Sequence, residues 1–184
     1  MLGNREYDIA FVGLNPGEHV FLFEIGDKFF SKYEQQDFSQ VKAQVKMTLD
    51  RKTGFILLKF DVGGSLEVVC DRCGNNLPMQ LWDEFKIVVK MVENPDEMNM
   101  QEDDPDVYYI GRTESHLRVE DWLYEFINLS LPMTRMCSEA EIGGPHCNKA
   151  VLEQLNNLKP EEHNAQTIWK GLEQFKGKKK DNIK

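Results

Sequence analysis

Long hydrophobic runs are missing from this chain of 184 residues. No stretch approaches the roughly 18 consecutive apolar residues that cross a bilayer, so no membrane-spanning helix is expected. Catalytic signatures are missing too: there is no HExxH, no GxSxG and no P-loop, and the four histidines are scattered at positions 19, 116, 146 and 163. Neither an enzyme nor a small-molecule substrate is expected. Positive charge is in deficit, with 22 Lys and Arg against 31 Asp and Glu for a net charge of −9. That balance argues against a surface that coats nucleic acid throughout, and no RNP-type aromatic motif or GxxG clamp appears. The opening "MLGNREYDIAFVGL" has one basic residue, then Glu6 and Asp8, and lacks the long apolar segment of a secretory signal, so a cytoplasmic location is expected. In that reducing compartment the four cysteines are expected to be thiols or metal ligands rather than disulfides.

What is present suits one globular domain, with 41% hydrophobic and 29% charged residues. The charge is unevenly spread. From Glu93 to Asp106 there are seven acidic residues, no basic one, and both Pro95 and Pro105. Such a segment cannot bury enough apolar surface to fold by itself, and 93–106 is expected to be a mobile acidic loop. At the other extreme, "KGKKKDNIK" carries five lysines in nine residues. The reading is a single α+β domain over 1–176 followed by a basic, disordered tail over 177–184.

The first ninety residues read mainly as strands. "YDIAFVGL" and "EHVFLFEI" flank "NPG", which signals a hairpin or a corner. "GDKFFSKYEQQDF" is expected to be a short helix or loop. Val41, Ala43, Val45 and Met47 alternate with Gln40, Lys42, Gln44 and Lys46, the period-2 pattern of a half-buried strand with one basic face. "GFILLKF" and "GSLEVVC" are separated by Gly63 and Gly64, read as a hairpin turn, and "EFKIVVKMV" adds another strand. Five or six strands with short connections imply an antiparallel sheet, curled toward a barrel in one version of this reading. The C-terminal half supplies two or three helices. Val119, Trp122, Leu123, Phe126 and Ile127 form one apolar stripe, with Glu120, Asp121 and Glu125 facing elsewhere and Pro132 stopping the helix. A second helix is expected from about Asn148 to Leu158, and Ile168, Trp169, Leu172 and Phe175 repeat the pattern near the end.

The stretch "LEVVCDRCGNNL" puts Cys70 and Cys73 three apart at the end of an apolar, β-branched run, with Gly74 next. Redox dithiols of the thioredoxin kind begin a helix, whose dipole lowers the thiol pKa. This pair follows a strand instead. That order suits a metal knuckle, in which both sulfurs face one centre and glycine accepts the left-handed conformation needed to leave the turn. Buried structural thiols and redox chemistry remain the alternatives. A closed tetrahedral site needs four ligands, and the favoured set is Cys70, Cys73, Cys137 and Cys147, with His146 able to replace one of them. Zinc held this way has no open position, so its role would be structural.

"LEVVCDRCGNNL", the acidic linker, "VEDWLYEFINLSLP", a later cysteine cluster and "IWKGLEQFK" follow one another in an order that resembles the bacterial YceD family. The resemblance spans about residues 40 to 176. Cys70 and Cys73 match the family's CxRC element, with Asp71 and Arg72 between them, and Leu129 to Pro132 match its leucine and proline signature. The resemblance implies a non-catalytic role in accumulation of large-subunit (23S) ribosomal RNA. The C-terminal cysteine cluster varies within the family, and the gap from Cys137 to Cys147 is wider than the roughly two to four residues usual between metal ligands, which leaves the third and fourth ligands open. Arg118 stands where an acidic or polar cap would suit the helix dipole better.

Two modes of action follow. In the first, Lys42, Lys46, Arg51, Lys52 and Arg72, with the lysine tail, contact RNA phosphates. In the second, the protein is an interaction adaptor with a structural zinc site and no RNA contact, its partners being ribosomal proteins drawn by complementary charge.

Overall fold

The computed structural model describes residues 5–138 and 142–158. Alternation of apolar and polar residues builds three long strands: β3 (Phe38–Arg51), β4 (Phe55–Val69) and β5 (Asn76–Val92). Before them come β1 (Asp8–Ala10), β2 (Gly17–Gly26) and a one-turn helix α1 (Asp27–Phe30). After them come α2 (Pro95–Gln101), β6 (Val107–Gly111), β7 (His116–Arg118), α3 (Glu120–Leu129) and α4 (Lys149–Asn157). A five-stranded sheet runs in the order β2-β3-β4-β5-β6, and β1 pairs with β7 in a separate two-stranded sheet. All pairs are antiparallel except β5 with β6.

The sheet has two edges, β2 and β6, and is not a closed barrel. One of its faces is the core. Val45, Met47, Leu49, Ile56, Leu58 and Phe60 alternate inward along β3 and β4 and are fully buried. Helix α3 lays its apolar stripe on that face: Val119, Leu123, Phe126 and Ile127 are buried, and the Phe126 ring stacks on Phe85 at 4.3 Å and meets Phe60 edge-on at 4.9 Å.

Several expectations are corrected. Gly63 and Gly64 do not make a hairpin turn; β4 runs straight through them. At this level β3 carries an extra residue, its register slipping between Ser39 and Lys42, with Gln40 at φ 52°. Gly64, at φ 130°, lies so close to β3 that a Cβ on it would sit 2.2 Å from the carbonyl oxygen of Lys42. The glycine therefore serves a bulge that bends the sheet, not a reversal of the chain. Of the two readings of "NPG", the corner holds, since β1 pairs with β7 and not with β2.

Glu120 does not face solvent. It is 3% exposed and ion-paired with Lys32 and Arg118, and this accounts for a basic residue at the start of α3. Lys32 itself lies over the rings of Phe29 and Tyr33 at 4.9 and 5.2 Å. The acidic stretch 93–106, read as a loop, contains α2. Its Asn99 amide imitates a strand: Nδ2 donates to the carbonyl of Tyr109 at 2.9 Å, and Tyr109 N–H donates to Oδ1 at 2.8 Å. Beyond α2, Tyr109 hydroxyl donates to Glu102 at 2.6 Å. The stripe at Ile168 to Phe175 and the tail 177–184 lie outside the described residues. Among the described residues, no helix is long and apolar enough to cross a membrane.

Candidate metal centre

Strands β4 and β5 form the longest hairpin, and its tip, residues 70–75, is the cysteine knuckle. Cys70 N–H donates to Asn75 O, and Gly74 N–H donates to Cys70 O, both at 2.9 Å. Gly74 leaves the turn at φ 72°, the left-handed conformation that glycine adopts without strain.

The segment after Pro132 is laced to this tip. Asp71 N–H donates to Arg135 O, Arg135 N–H returns a bond to the Asp71 carboxylate, each at 2.7 Å, and the Arg135 guanidinium pairs with Asp37. This delivers Cys137 to the knuckle. The sulfurs of Cys137 and Cys70 are 3.6 Å apart, those of Cys137 and Cys73 4.0 Å, and all three lie within 4.8 Å of one another. All three cysteines are buried. Three such thiols could hold a metal ion.

Cys147 is buried beside them, and its thiol is hydrogen-bonded to Cys137. It precedes α4, whose N-cap Asn148 accepts from Val151 N–H. His146 meets the cluster through its main chain: the thiols of Cys73 and Cys137 lie 3.8 and 3.7 Å from its carbonyl oxygen. Its ring is not in the group of three.

The sulfurs are electrostatically unequal. Burial pushes the Cys70 thiol up, but main-chain N–H groups of Cys137, Cys73 and Arg72 donate to the sulfur, outweigh burial, and bring it down to about 6. The Cys137 thiol is pushed up to about 12, first by burial and then by hydrogen bonds to the other cysteines. Cys70 is thus biased toward the thiolate and Cys137 toward the protonated thiol. A divalent cation would have to displace the remaining protons.

The five basic positions singled out from sequence do not form one patch. Lys42 and Lys46 are exposed on the outer face of β3, with no ion pair among the described residues. Arg51 donates to the carbonyls of Val12 and Leu14. Lys52 pairs with Asp50 at 2.7 Å, and Arg72 lies against the sulfur of Met136 at 3.6 Å. Sequence reading missed two features. Asp71 clamps the knuckle, a role visible in sequence only as a short polar residue inside the CxxC. Trp82, opposite Gly63 on the outer face of β5, is 90% exposed, and nothing in its local sequence distinguishes it from a core aromatic.

Comparison with known proteins places one family on this chain. The family model described as large ribosomal RNA subunit accumulation protein YceD matches residues 58–176, which include the knuckle and both later cysteines. No curated protein and no solved structure matches.

Proposed function

This chain belongs to the YceD family, and from that membership we propose that it is a non-catalytic factor in accumulation of the large-subunit ribosomal RNA. The single observation that carries the reading is the family match, since the family is described by accumulation of that RNA. Cysteine chemistry supports a structural part for a metal. In a tetrahedron with Zn–S bonds of about 2.3 Å the sulfurs stand about 3.8 Å apart, and the separations of 3.6 and 4.0 Å bracket that value. Cys70, Cys73 and Cys137 would hold zinc, with Cys147 moving in as the fourth ligand. The ion would fasten the tip of the β4–β5 hairpin to the segment after α3.

The role is exercised by binding RNA or ribosomal proteins. Lys42 and Lys46 favour an RNA contact, because neither is spent on an internal carboxylate, and Trp82 stands clear on the same outer face for a base to stack on. The test has two parts. Cells lacking the protein are assayed for large-subunit rRNA relative to small-subunit rRNA; a fall is expected, and an unchanged ratio overturns the reading. Crosslinking in cells then identifies the partner, with salt-sensitive recovery of rRNA fragments supporting direct contact and ribosomal protein alone supporting the adaptor mode.

A further inference from the structure

The two edges of the main sheet are treated differently. At β6 the outer edge is capped by the Asn99 side chain, which takes both main-chain groups of Tyr109. At β2 no main-chain hydrogen bond reaches the outer edge among the described residues. Its pairing with β3 is unbroken over ten residues, from Gly17 opposite Arg51 to Gly26 opposite Lys42. Three of the usual devices that blunt an edge are missing: "GEHVFLFEIG" has no lysine, no proline and no bulge. An open edge of this length is a template for one more strand.

Its outward side chains say which strand. Glu18, Val20, Leu22 and Glu24 alternate on the exposed face, with Val20 and Leu22 at 55% and 64% exposure. Two carboxylates flank two apolar residues, and no basic residue stands on the strand except His19, whose Nε2 is 2.9 Å from the carbonyl of Asn15. Pairing two copies of the chain through β2 brings four glutamates onto one face with no lysine or arginine on either strand. Pairing centred on Phe21 sets Glu18 directly opposite Glu24, and like charges across a pair are destabilising. An RNA strand meets the same carboxylates with its phosphates.

We infer that the β2 edge is a binding site for an extended, basic protein segment that adds a strand to the sheet, its lysines or arginines opposite Glu18 and Glu24 and its apolar residues opposite Val20 and Leu22. This deepens the function proposed above by naming a partner class, and it rests on that reading only for where the partner is found. Main-chain hydrogen bonds supply affinity, and the two carboxylates supply the preference for positive charge.

The full chain is tested with an end-capped decapeptide of alternating lysine and valine, and with its glutamate and valine counterpart. Amide hydrogen exchange is read along the sequence. The outward-facing amides of β2 are expected to exchange quickly in the free chain and to slow when the basic peptide is added. The double variant Glu18→Lys, Glu24→Lys changes only exposed side chains; it is expected to bind the basic peptide about tenfold more weakly and to accept the acidic one. Slowing elsewhere but not in β2, equal binding of both peptides, or unchanged affinity in the variant overturns the inference. So does concentration-dependent protection of β2 without peptide, which would mean self-pairing, or protection by an RNA oligonucleotide instead. None of these outcomes depends on rRNA levels in cells, so failure here is distinct from failure of the family role.

Discussion

Removing metal from the cysteine centre should weaken the protein by an amount set by chain topology. A bound ion would join Cys73 to Cys137 across 64 positions. Treated as a cross-link that closes a loop of that size in the unfolded chain, it would contribute about 4 kcal/mol at 25 °C. For a domain of this size each kcal/mol moves the melting temperature by roughly 2–4 °C, so stripping the ion should lower it by about 8–16 °C. The assay compares urea and thermal unfolding of metal-loaded protein, chelator-treated protein and Cys137→Ser, with metal content and thiol reactivity measured on each. The loaded protein should carry one ion per chain and resist thiol reagents until it unfolds. The chelated and Cys137→Ser proteins should agree within about 1 kcal/mol, because each lacks the same tie. The reasoning is refuted by a protein that takes up no metal, whose thiols react freely while it is folded, and whose midpoint does not move with chelator.

Three other outcomes are expected. Gly64→Ala forces a side chain onto the Lys42 carbonyl at a positive φ and should cost about 2–4 kcal/mol in chemical unfolding; a loss below about 0.5 kcal/mol would mean that the bulge relaxes. Asp71→Ala removes the acceptor of Arg135 N–H and should lower metal affinity about tenfold or more through misplacement of Cys137, with little change in the helix content seen by circular dichroism. In acid, hydrogen bonds from Lys59 and then Lys86 hold the Glu84 carboxyl below its ordinary value. Its folded pKa is depressed, so its contribution is present above the ordinary carboxylate range and is lost as pH falls through the lower folded value. Glu84→Gln should therefore flatten the acid limb of the stability curve, most at low salt; parallel curves for parent and variant would refute this.

Sequence made some of this architecture legible because some signals are local. The alternation through Val41, Ala43, Val45 and Met47 is a period that a strand imposes by itself, and these residues are buried in β3. The stripe from Val119 to Ile127 is legible for the same reason in α3. Gly63 and Gly64 misled because a glycine pair looks alike whether the chain reverses or another strand crosses close by; the difference lies in Lys42, some twenty residues away. Glu120 misled because its two cations come from β7 and from the turn after α1. The acidic stretch looked unable to fold by itself, and what positions it is a contact between Asn99 and the edge of β6. At the centre, the CxxC with its following glycine was visible in sequence, whereas the lacing of Asp71 to Arg135 was not, since it joins segments 64 positions apart.

That same separation orders events on the ribosome. At elongation rates of about 5–20 residues per second, Cys137 follows Cys73 out of the tunnel by roughly 3–13 s. A hairpin closes in microseconds, so the β4–β5 hairpin and its knuckle are formed and waiting before Cys137, and after it Cys147, arrives. An ion bound there would be a latch on a frame already built, not a seed for it, and a nascent chain starved of metal would stall at a late, nearly native stage.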